Sequence, residues 1–420
     1  MIQTLTLSPG ITLRCFPDSR FKQGTFSLQL VRPMCREEAA LNALLPAVLL
    51  RGCAQYPDLR SITLRLDDLY GAAVGAVVRR VGDYQTTGFA CGFLDDRYAM
   101  EGDHVLEPMM RFLEQLLLDP ALEEGLFRQD YLESEKRNLI FAIESRRNDK
   151  RVYAASRLTE LMCSADSFGI PRLGTIEQVR AVTAESLYAH YQKILRESPV
   201  ELFYVGSADI HTVAELVRPI FEKLPRSPIT LPAQTAFRDG GKHHHTEAMN
   251  VAQGKLCMGF VTPITLRHED FAAMQVLNTL FGAGMTNKLF MHIRETLSLC
   301  YDIGSSYHGS KGILTVSAGI DSRNNQLVQE QILNLLQACK DGNITDEELN
   351  SAKESLISQL RATHDSPGAI EGYYATAALS GLRLTPETYL EQVCAVTREQ
   401  VMAAARTLEL HTVYFLKGVD

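Results

Sequence analysis

The same order of strand and helix patterns occurs twice in this chain, and this repeat limits the possible folds more than any other feature. The alternating apolar run GTFSLQLV at 24–31 has a counterpart, GKLCMGFV at 254–261, which lies 230 residues further on (254 − 24). The apolar run VELFYVG at 200–206 is matched by TVYFLKG at 412–418. A repeated order of elements indicates duplication of a whole structural unit. The sequence therefore predicts an α+β fold of two tandem homologous domains, each a largely antiparallel β-sheet packed against helices on one face.

The periodic pattern is lost between the two copies. Residues 225–247 contain three prolines, a Gly-Gly pair and three consecutive histidines, a composition typical of an interdomain linker. We therefore predict domains at 1–224 and 248–420, joined by a Pro/Gly/His linker. The histidines at 243–245 are candidate transition-metal ligands. In a linker without a fixed partner, however, a solvated loop is the preferred interpretation.

Composition and charge limit the function classes. The formal net charge is −8, which argues against nucleic acid or an anionic membrane surface as the main partner. No run approaches the ~20 apolar residues of a membrane-spanning helix, and no secretion signal is visible at the N-terminus. The nine cysteines are scattered and contain no Cys-x-x-Cys pair, as expected for free thiols in a reducing compartment. These features predict a cytoplasmic location.

Two regions in the first half of the chain are predicted to be helical. Residues 37–50 are apolar almost throughout, and residues 122–163 form one long helical region with dense charge. Within the second region, Asn148-Asp149-Lys150 predicts a turn or helix boundary. The run at 24–31 places Phe26, Leu28 and Leu30 on one side, and it predicts a half-buried strand.

The segment 288–304, KLFMHIRETLSLCYDIG, combines a helix pattern with a cationic and a phenolic side chain. Its apolar positions at i, i+4 and i+8 are Leu289, Ile293 and Leu297. Arg294 lies beside that predicted helix face, and Tyr301 follows seven residues later at the start of an extended run. Both side chains are able to hold a peptide, because Arg binds carbonyls and carboxylates and Tyr donates through its hydroxyl. The alternative is structural: an Arg that caps its own helix and a half-buried Tyr.

The duplication, the linker and the 294–301 motif resemble the pitrilysin/insulinase family of zinc peptidases, which includes the mitochondrial processing peptidases. The resemblance covers nearly the whole chain, and its most specific motif is the Arg294/Tyr301 pair. The region from Asp346 to Pro367 is also similar to the family's C-terminal helical region. The resemblance implies that Arg294 and Tyr301 bind substrate backbone beside a metal.

Active members of this family bind zinc through His-x-x-Glu-His on the first apolar helix, where the Glu polarises the attacking water. If the end of that helix is aligned with Leu50-Arg51-Gly52, the two ligand positions fall on Ala43 and Ala47. The water-activating position falls on Pro46. The chain contains neither His-x-x-Glu-His nor His-Glu-x-x-His.

A further family ligand is a Glu on the long helix. Glu135 matches a family Glu that precedes this ligand by seven residues, so the ligand position falls on Ala142, with Glu144 two residues away. Methyl side chains cannot coordinate zinc, and proline cannot act as a base. The resemblance therefore implies a zinc site without catalytic function and no cofactor in this chain.

In the bacterial and mitochondrial peptidases that this chain resembles, two chains pair, and one supplies zinc while the other supplies the Arg/Tyr pair. The resemblance implies a non-catalytic, substrate-binding subunit of a heterodimeric zinc metalloendopeptidase. Its partner is expected to be a paralogous chain with the intact zinc motif, and its substrate a peptide or unfolded protein.

Two other interpretations stay open. The chain could be a peptide-binding or scaffold protein, self-paired as a homodimer, with no proteolytic role. It could also be a self-sufficient peptidase with a displaced metal site.

Overall fold

The computed structural model describes residues 2–241 and 243–418 of the 420-residue chain. Their contacts divide the chain into two compact units. Unit 1 consists of the chain up to Ile143 together with Ile170–Ala233 and His364–Thr376. Unit 2 consists of Glu144–Gly169, Gln234–Thr363 and the chain from Ala377 onward. Each unit therefore combines segments that lie far apart in the sequence.

The elements follow the predicted alternation of strands and helices. The strands are β1 Gln3–Ser8, β2 Ile11–Pro17, β3 Gln23–Pro33, β4 Ala73–Val81, β5 Tyr84–Leu94, β6 Leu122–Glu123, β7 Leu126–Phe127, β8 Val200–Gly206, β9 His243–Met249, β10 Gly254–Val261, β11 Cys300–His308, β12 Ile313–Ile320 and β13 Glu409–Gly418. The α-helices are α1 Arg36–Leu49, α2 Leu59–Asp68, α3 Leu106–Leu118, α4 Gln129–Asn148, α5 Lys150–Met162, α6 Ile176–Ala181, α7 Ala184–Glu197, α8 Ile210–Glu222, α9 Phe271–Asn278, α10 Asn325–Lys340, α11 Asp346–Ala362, α12 Pro367–Ser380, α13 Pro386–Ala395 and α14 Arg398–Arg406.

The two main sheets repeat one topology, which confirms the predicted α+β fold. The sheet of unit 1 has the order β1-β2-β8-β3-β5-β4, and that of unit 2 has the order β11-β12-β10-β13-β9. Read from the opposite edge, the second order is β9-β13-β10-β12-β11, and it matches β2-β8-β3-β5-β4 of the first. In both sheets the matching pair is parallel, β2 with β8 and β9 with β13, whereas the other neighbouring strands run antiparallel.

Strand β9 corrects the prediction for the histidine run. Residues 243–245 do not form a solvated loop, because they begin β9, and His243 pairs with Thr412 of β13. The pairing runs from Thr412 to Gly418, just as β2 pairs with Val200 to Gly206 of β8. Strand β9 is therefore the second copy of β2. Its polar composition, HHHTEAM, gave no strand signal, since β-branched and aromatic residues are absent except for one Thr.

Strand β3 is buried on both faces, so the prediction of a half-buried strand was wrong. Ser27 and Gln29 are almost completely buried beside the predicted apolar face. Their partner is Glu371 of α12, which accepts hydrogen bonds from the Ser27 hydroxyl (2.6 Å) and the Gln29 amide (3.0 Å). Arg79 of β4 binds the same carboxylate through two nitrogens at 2.9 Å. Helix α12 therefore covers a sheet face that the sequence indicated as exposed.

The sheet of unit 2 also carries a helix on a second face. Cys257 of β10 and Tyr414 of β13 form a buried cluster with Ala154 and Leu158 of α5. The side chain of Met162 lies so close to Gly259 that a Cβ there would be only 2.5 Å from its sulfur. Helix α5 begins after Asp149, at the predicted boundary, and Asp149 caps it by accepting from two backbone amides.

The compact units and the predicted domains 1–224 and 248–420 differ in two segments. Residues 144–169 precede the predicted linker but belong to unit 2, where α5 packs against β10 and β13. Residues 364–376 follow it but belong to unit 1, where Glu371 binds β3 and β4. The periodicity within each segment does not indicate which of the two units it packs against.

Candidate functional site

The helix that carries Arg294 is a π-helix over Phe290–Thr296, where an α-helix was predicted. The backbone amide of Leu297 donates to the carbonyl of His292, five residues earlier, at 3.0 Å. This wider spacing moves Leu297 off the predicted apolar face, so it is 39% exposed while Leu289 and Ile293 are fully buried. Single π-turns inside helices are frequent at functional sites.

Arg294 lies on the outer side of this π-turn. Its guanidinium is 4.7 Å from the ring centroid of Phe290 and 3.7 Å from the carboxylate of Glu295. The side chain is 44% exposed. Arg294 lies in the last turn of its helix, but within the described residues no backbone carbonyl accepts a hydrogen bond from its side chain. The guanidinium donors remain available to a ligand.

Tyr301 occupies an irregular position at the start of β11. Cys300 pairs with Ile320 and Asp302 pairs with Gly319, so Tyr301 is an extra residue in the ladder, as in a β-bulge. Its side chain is 65% exposed. The hydroxyl has no hydrogen-bond partner in the part of the chain that the structure describes. The half-buried, structural Tyr of the alternative interpretation is therefore not observed.

Arg294 and Tyr301 lie near the same end of β11. Burial and, to a smaller extent, the nearby Asp302 carboxylate raise the pKa of the Cys300 thiol to about 11. The charge of Arg294 opposes this shift and lowers the pKa of the same thiol. The guanidinium therefore lies within electrostatic reach of Cys300, which directly precedes Tyr301. Two exposed donors flank one strand end.

A cavity of about 450 Å³ opens beside Tyr301. It is lined by Lys150, Asn250, Val251, Ala252, Gln253, Lys255 and Tyr301, all of them in unit 2. No sequence pattern indicates the two lysines as site residues: Lys150 belongs to a predicted helix boundary and Lys255 to the predicted strand at 254–261. The structure brings both to Tyr301.

Lys255 is positioned by its neighbours across β12. Its ammonium lies 3.6 Å from Asp302, and the two side chains meet above Gly319, where a Cβ would be 2.2 Å from the carboxylate oxygen. The ammonium also donates to the side chain of Gln253 at 3.0 Å. The side chain of Lys255 is only 15% exposed, so its direction is fixed.

The positions aligned with the family's zinc ligands carry no donor atoms. Ala43 and Pro46 are buried in α1, Ala47 is partly buried one turn after Ala43, and Ala142 is exposed on α4. These side chains do not fit a zinc ion. Among the described residues, no group of three or more His, Cys, Asp or Glu side chains is arranged to hold a metal.

Nearby side chains have structural partners instead. Glu135, the matched residue on α4, lies 3.3 Å from the guanidinium of Arg51 at the end of α1. Pro46 cannot donate to the carbonyl of Asn42, four residues earlier. That carbonyl accepts from the hydroxyl of Thr87 of β5 at 2.7 Å. The region is therefore held by ion pairs and hydrogen bonds within unit 1.

Known proteins resemble this chain over its whole length. The family described as peptidase M16 inactive domain matches residues 181–356. A "probable inactive metalloprotease YmfF" of Bacillus subtilis is 30% identical over 411 residues, which cover 98% of this chain and 96% of the relative. The chain belongs to the M16 peptidase family. This confirms the resemblance to the pitrilysin/insulinase family, and both descriptions name inactive proteins.

Solved structures share the fold of this M16 homologue. A conserved protein from Enterococcus faecalis V583 is 28% identical with a TM-score of 0.91, covering 100% of this chain and 99% of that one. A chain of Complex III2 from Candida albicans, bound to Inz-5, is 15% identical with a TM-score of 0.76, covering 100% and 96%. The fold of this chain is therefore also found in a chain of that complex. No helix in the described ranges is both long and apolar enough to cross a membrane.

Proposed function

We propose that this chain is the non-catalytic, substrate-binding subunit of a heterodimeric zinc metalloendopeptidase. The observation that carries the proposal is the state of Arg294 and Tyr301. Both are exposed, and within the described residues neither has a hydrogen bond that fixes it for a structural purpose. At the positions aligned with the family's zinc motif, Ala43, Pro46 and Ala47 have side chains that neither bind a metal nor activate water. A chain that keeps substrate-holding side chains without metal ligands needs a partner that supplies the metal.

In such a pair the two subunits have different roles in peptide hydrolysis. The partner, a paralogous chain with an intact His-x-x-Glu-His helix, binds zinc, which polarises the scissile carbonyl and activates water. Arg294 and Tyr301 donate hydrogen bonds to the backbone of the peptide or unfolded protein, or to the oxyanion that forms on it. These donors are most effective if they are already in place before the reaction, which fits their position on a strand end and a π-turn.

The test is peptide hydrolysis by this chain co-expressed with such a paralogue from the same organism. Removing one donor to an oxyanion lowers kcat by about 100-fold. We therefore expect a loss of this size in kcat/KM for Arg294→Ala and a loss of ~10-fold or more for Tyr301→Phe. Matched controls are Arg323→Ala, at an 88% exposed Arg of unit 2, and Tyr98→Phe, at an exposed Tyr of unit 1.

Rates that stay within about twofold of the unmodified pair for both variants would remove the assigned role. A second candidate, a self-paired scaffold protein without proteolysis, is favoured by the presence of this fold in Complex III2. It predicts no complex with the zinc-bearing paralogue when both are purified at micromolar concentration. Size-exclusion chromatography with mass measurement separates the two candidates.

A further inference from the structure

We propose that the cavity beside Tyr301 binds a carboxylate group of the peptide substrate. This inference rests on the proposed function, and it adds the chemical class that the chain recognises. The charged side chains of the cavity lining are Lys150 and Lys255, and the lining includes no Asp or Glu. The formal net charge of the chain is −8, so two lysines without a lining carboxylate are not typical of its surface. Such a lining attracts an anionic group.

The lysines have donors to spare. An ammonium carries three donors and no acceptor. Lys150 uses one of them, to the carbonyl of Arg147 at 3.2 Å. Lys255 uses one on Gln253, and the Asp302 carboxylate at 3.6 Å is beyond hydrogen-bond distance. With respect to the described residues, two donors on each ammonium therefore remain for a ligand.

The nearby carboxylates do not use the remaining hydrogen-bond donors of the two lysines. Asp302 balances part of the charge of Lys255 and directs its side chain across Gly319. Asp149, next to Lys150, accepts from the backbone amides of Arg151 and Val152. Neither carboxylate lines the cavity. Asp302 and Asp149 therefore position the site, and the positive charge that faces the cavity comes from the two lysines.

Tyr301 connects the cavity to the proposed substrate-binding pair. It borders the cavity on the side of β11, and its single O–H is assigned to the substrate backbone. A carboxylate has two oxygens that each accept two hydrogen bonds, which matches the remaining donors of the two ammonium groups. A volume of about 450 Å³ is enough for one or two residues and excludes a folded protein. Because the proposed substrate is a peptide or unfolded protein, this carboxylate is either its C-terminus or an Asp or Glu side chain.

The experiment measures binding by the full-length chain alone, with fluorescence anisotropy of N-terminally labelled nonapeptides. Three peptides of one sequence are compared: a free C-terminus, an amidated C-terminus, and an amidated C-terminus with one internal Glu. We expect either the first or the third to bind about tenfold more tightly than the second. The first result assigns the site to a terminal carboxylate and the third to an acidic side chain.

Variants connect the preference to the cavity. Lys150→Gln and Lys255→Gln should each reduce it to less than about threefold, while Lys223→Gln, at an exposed lysine of unit 1, should leave it unchanged. The ammonium of Lys150 donates to a backbone carbonyl three residues earlier, and Lys150 is outside the Lys255–Asp302 ion pair, so its variant stays informative if Lys255→Gln does not fold. Equal affinity for all three peptides, no measurable binding, or a preference that survives both variants would overturn the inference. Because the partner is absent from this assay, these results are independent of the hydrolysis test with the pair.

Discussion

At the scale of single residues, Thr87 replaces the hydrogen bond that Pro46 removes from α1. The hydroxyl donates to the buried carbonyl of Asn42 at 2.7 Å. We expect Thr87→Val to lower the free energy of unfolding by about 1–3 kcal/mol, because the carbonyl loses its partner. Pro46→Ala restores a backbone donor, so the double variant should recover about 1 kcal/mol. The measurement is urea unfolding, with Thr63→Val on the exposed side of α2 as the control. If the changes in the free energy of unfolding of the two single variants simply add up in the double variant, the proposed compensation is wrong.

His190 makes the stability of unit 1 depend on pH. Its Nε2 donates to Asn42 at 2.7 Å, and burial lowers the pKa of the ring from 6.5 to about 4. The folded state therefore keeps the ring neutral at pH values where the unfolded chain binds a proton. The contribution of His190 to the free energy of unfolding is fully present above pH 6.5 and is lost as the pH falls towards 4. We expect the free energy of unfolding to decrease by about 2 kcal/mol between pH 7 and pH 5.

The His190→Gln variant isolates this contribution. It should remove most of the decrease between pH 7 and pH 5, measured by urea unfolding at each pH, whereas His211→Gln on the surface should not. Glu38 does not interfere: burial raises its pKa, but hydrogen bonds from Arg32 and Lys193 outweigh this and lower the pKa to about 2. The contribution of Glu38 to stability is therefore lost only as the pH falls below 4.5. An equal slope in the wild type and His190→Gln would exclude His190 as the cause.

At the scale of elements, the sequence predicted strands and helices well where they bury apolar residues at regular spacing. It failed at β9, where polar residues form an edge strand, and in the segment Phe290–Thr296. There the spacing of Leu289, Ile293 and Leu297 agrees with an α-helix, yet one additional residue is accommodated as a π-turn. Periodicity averages over several turns, so it cannot locate a single inserted residue. Arg294 was found in the sequence by its chemistry, but the π-turn on which it lies was not.

Deleting Glu295 should convert this π-turn into an α-helix. Leu297 then follows Leu289 at i+7 and returns to the buried face, so we expect the stability of the chain to stay within about 1 kcal/mol. The position of Arg294 relative to Tyr301 changes, and hydrolysis by the proposed pair should fall by ~10-fold or more. A Leu297→Cys variant in a Cys394→Ser background reports the geometry directly. Its thiol should react readily in the parent chain and slowly in the deletion. Equal labelling rates would show that the π-turn is retained.

At the scale of the whole molecule, the duplication was visible in the sequence, but the exchange of segments between its halves was not. Ser27 and Glu371 are 344 residues apart in the chain and bind each other in the core of unit 1. Asp166 and Lys311 are 145 residues apart and form an ion pair at 2.9 Å that is almost completely buried in unit 2. Local spacing carries no record of such pairs. The candidate site shows the same limit, since Arg294 and Tyr301 could be predicted from one segment but Lys150 could not.

This exchange predicts that the chain cannot be separated at its linker into two folding halves. Fragment 1–240 lacks Glu371, which leaves Arg79 and a buried part of β3 without their partner. Fragment 241–420 lacks Asp166, which leaves the fully buried Lys311 without a countercharge, at a cost of about 3–5 kcal/mol. We expect each fragment alone to show no cooperative unfolding by circular dichroism. The matched control is the full chain cut after folding at a protease site inserted between Gly240 and Gly241. It retains every partner, so both pieces should stay associated and folded. Cooperative unfolding of either isolated fragment would contradict the exchange.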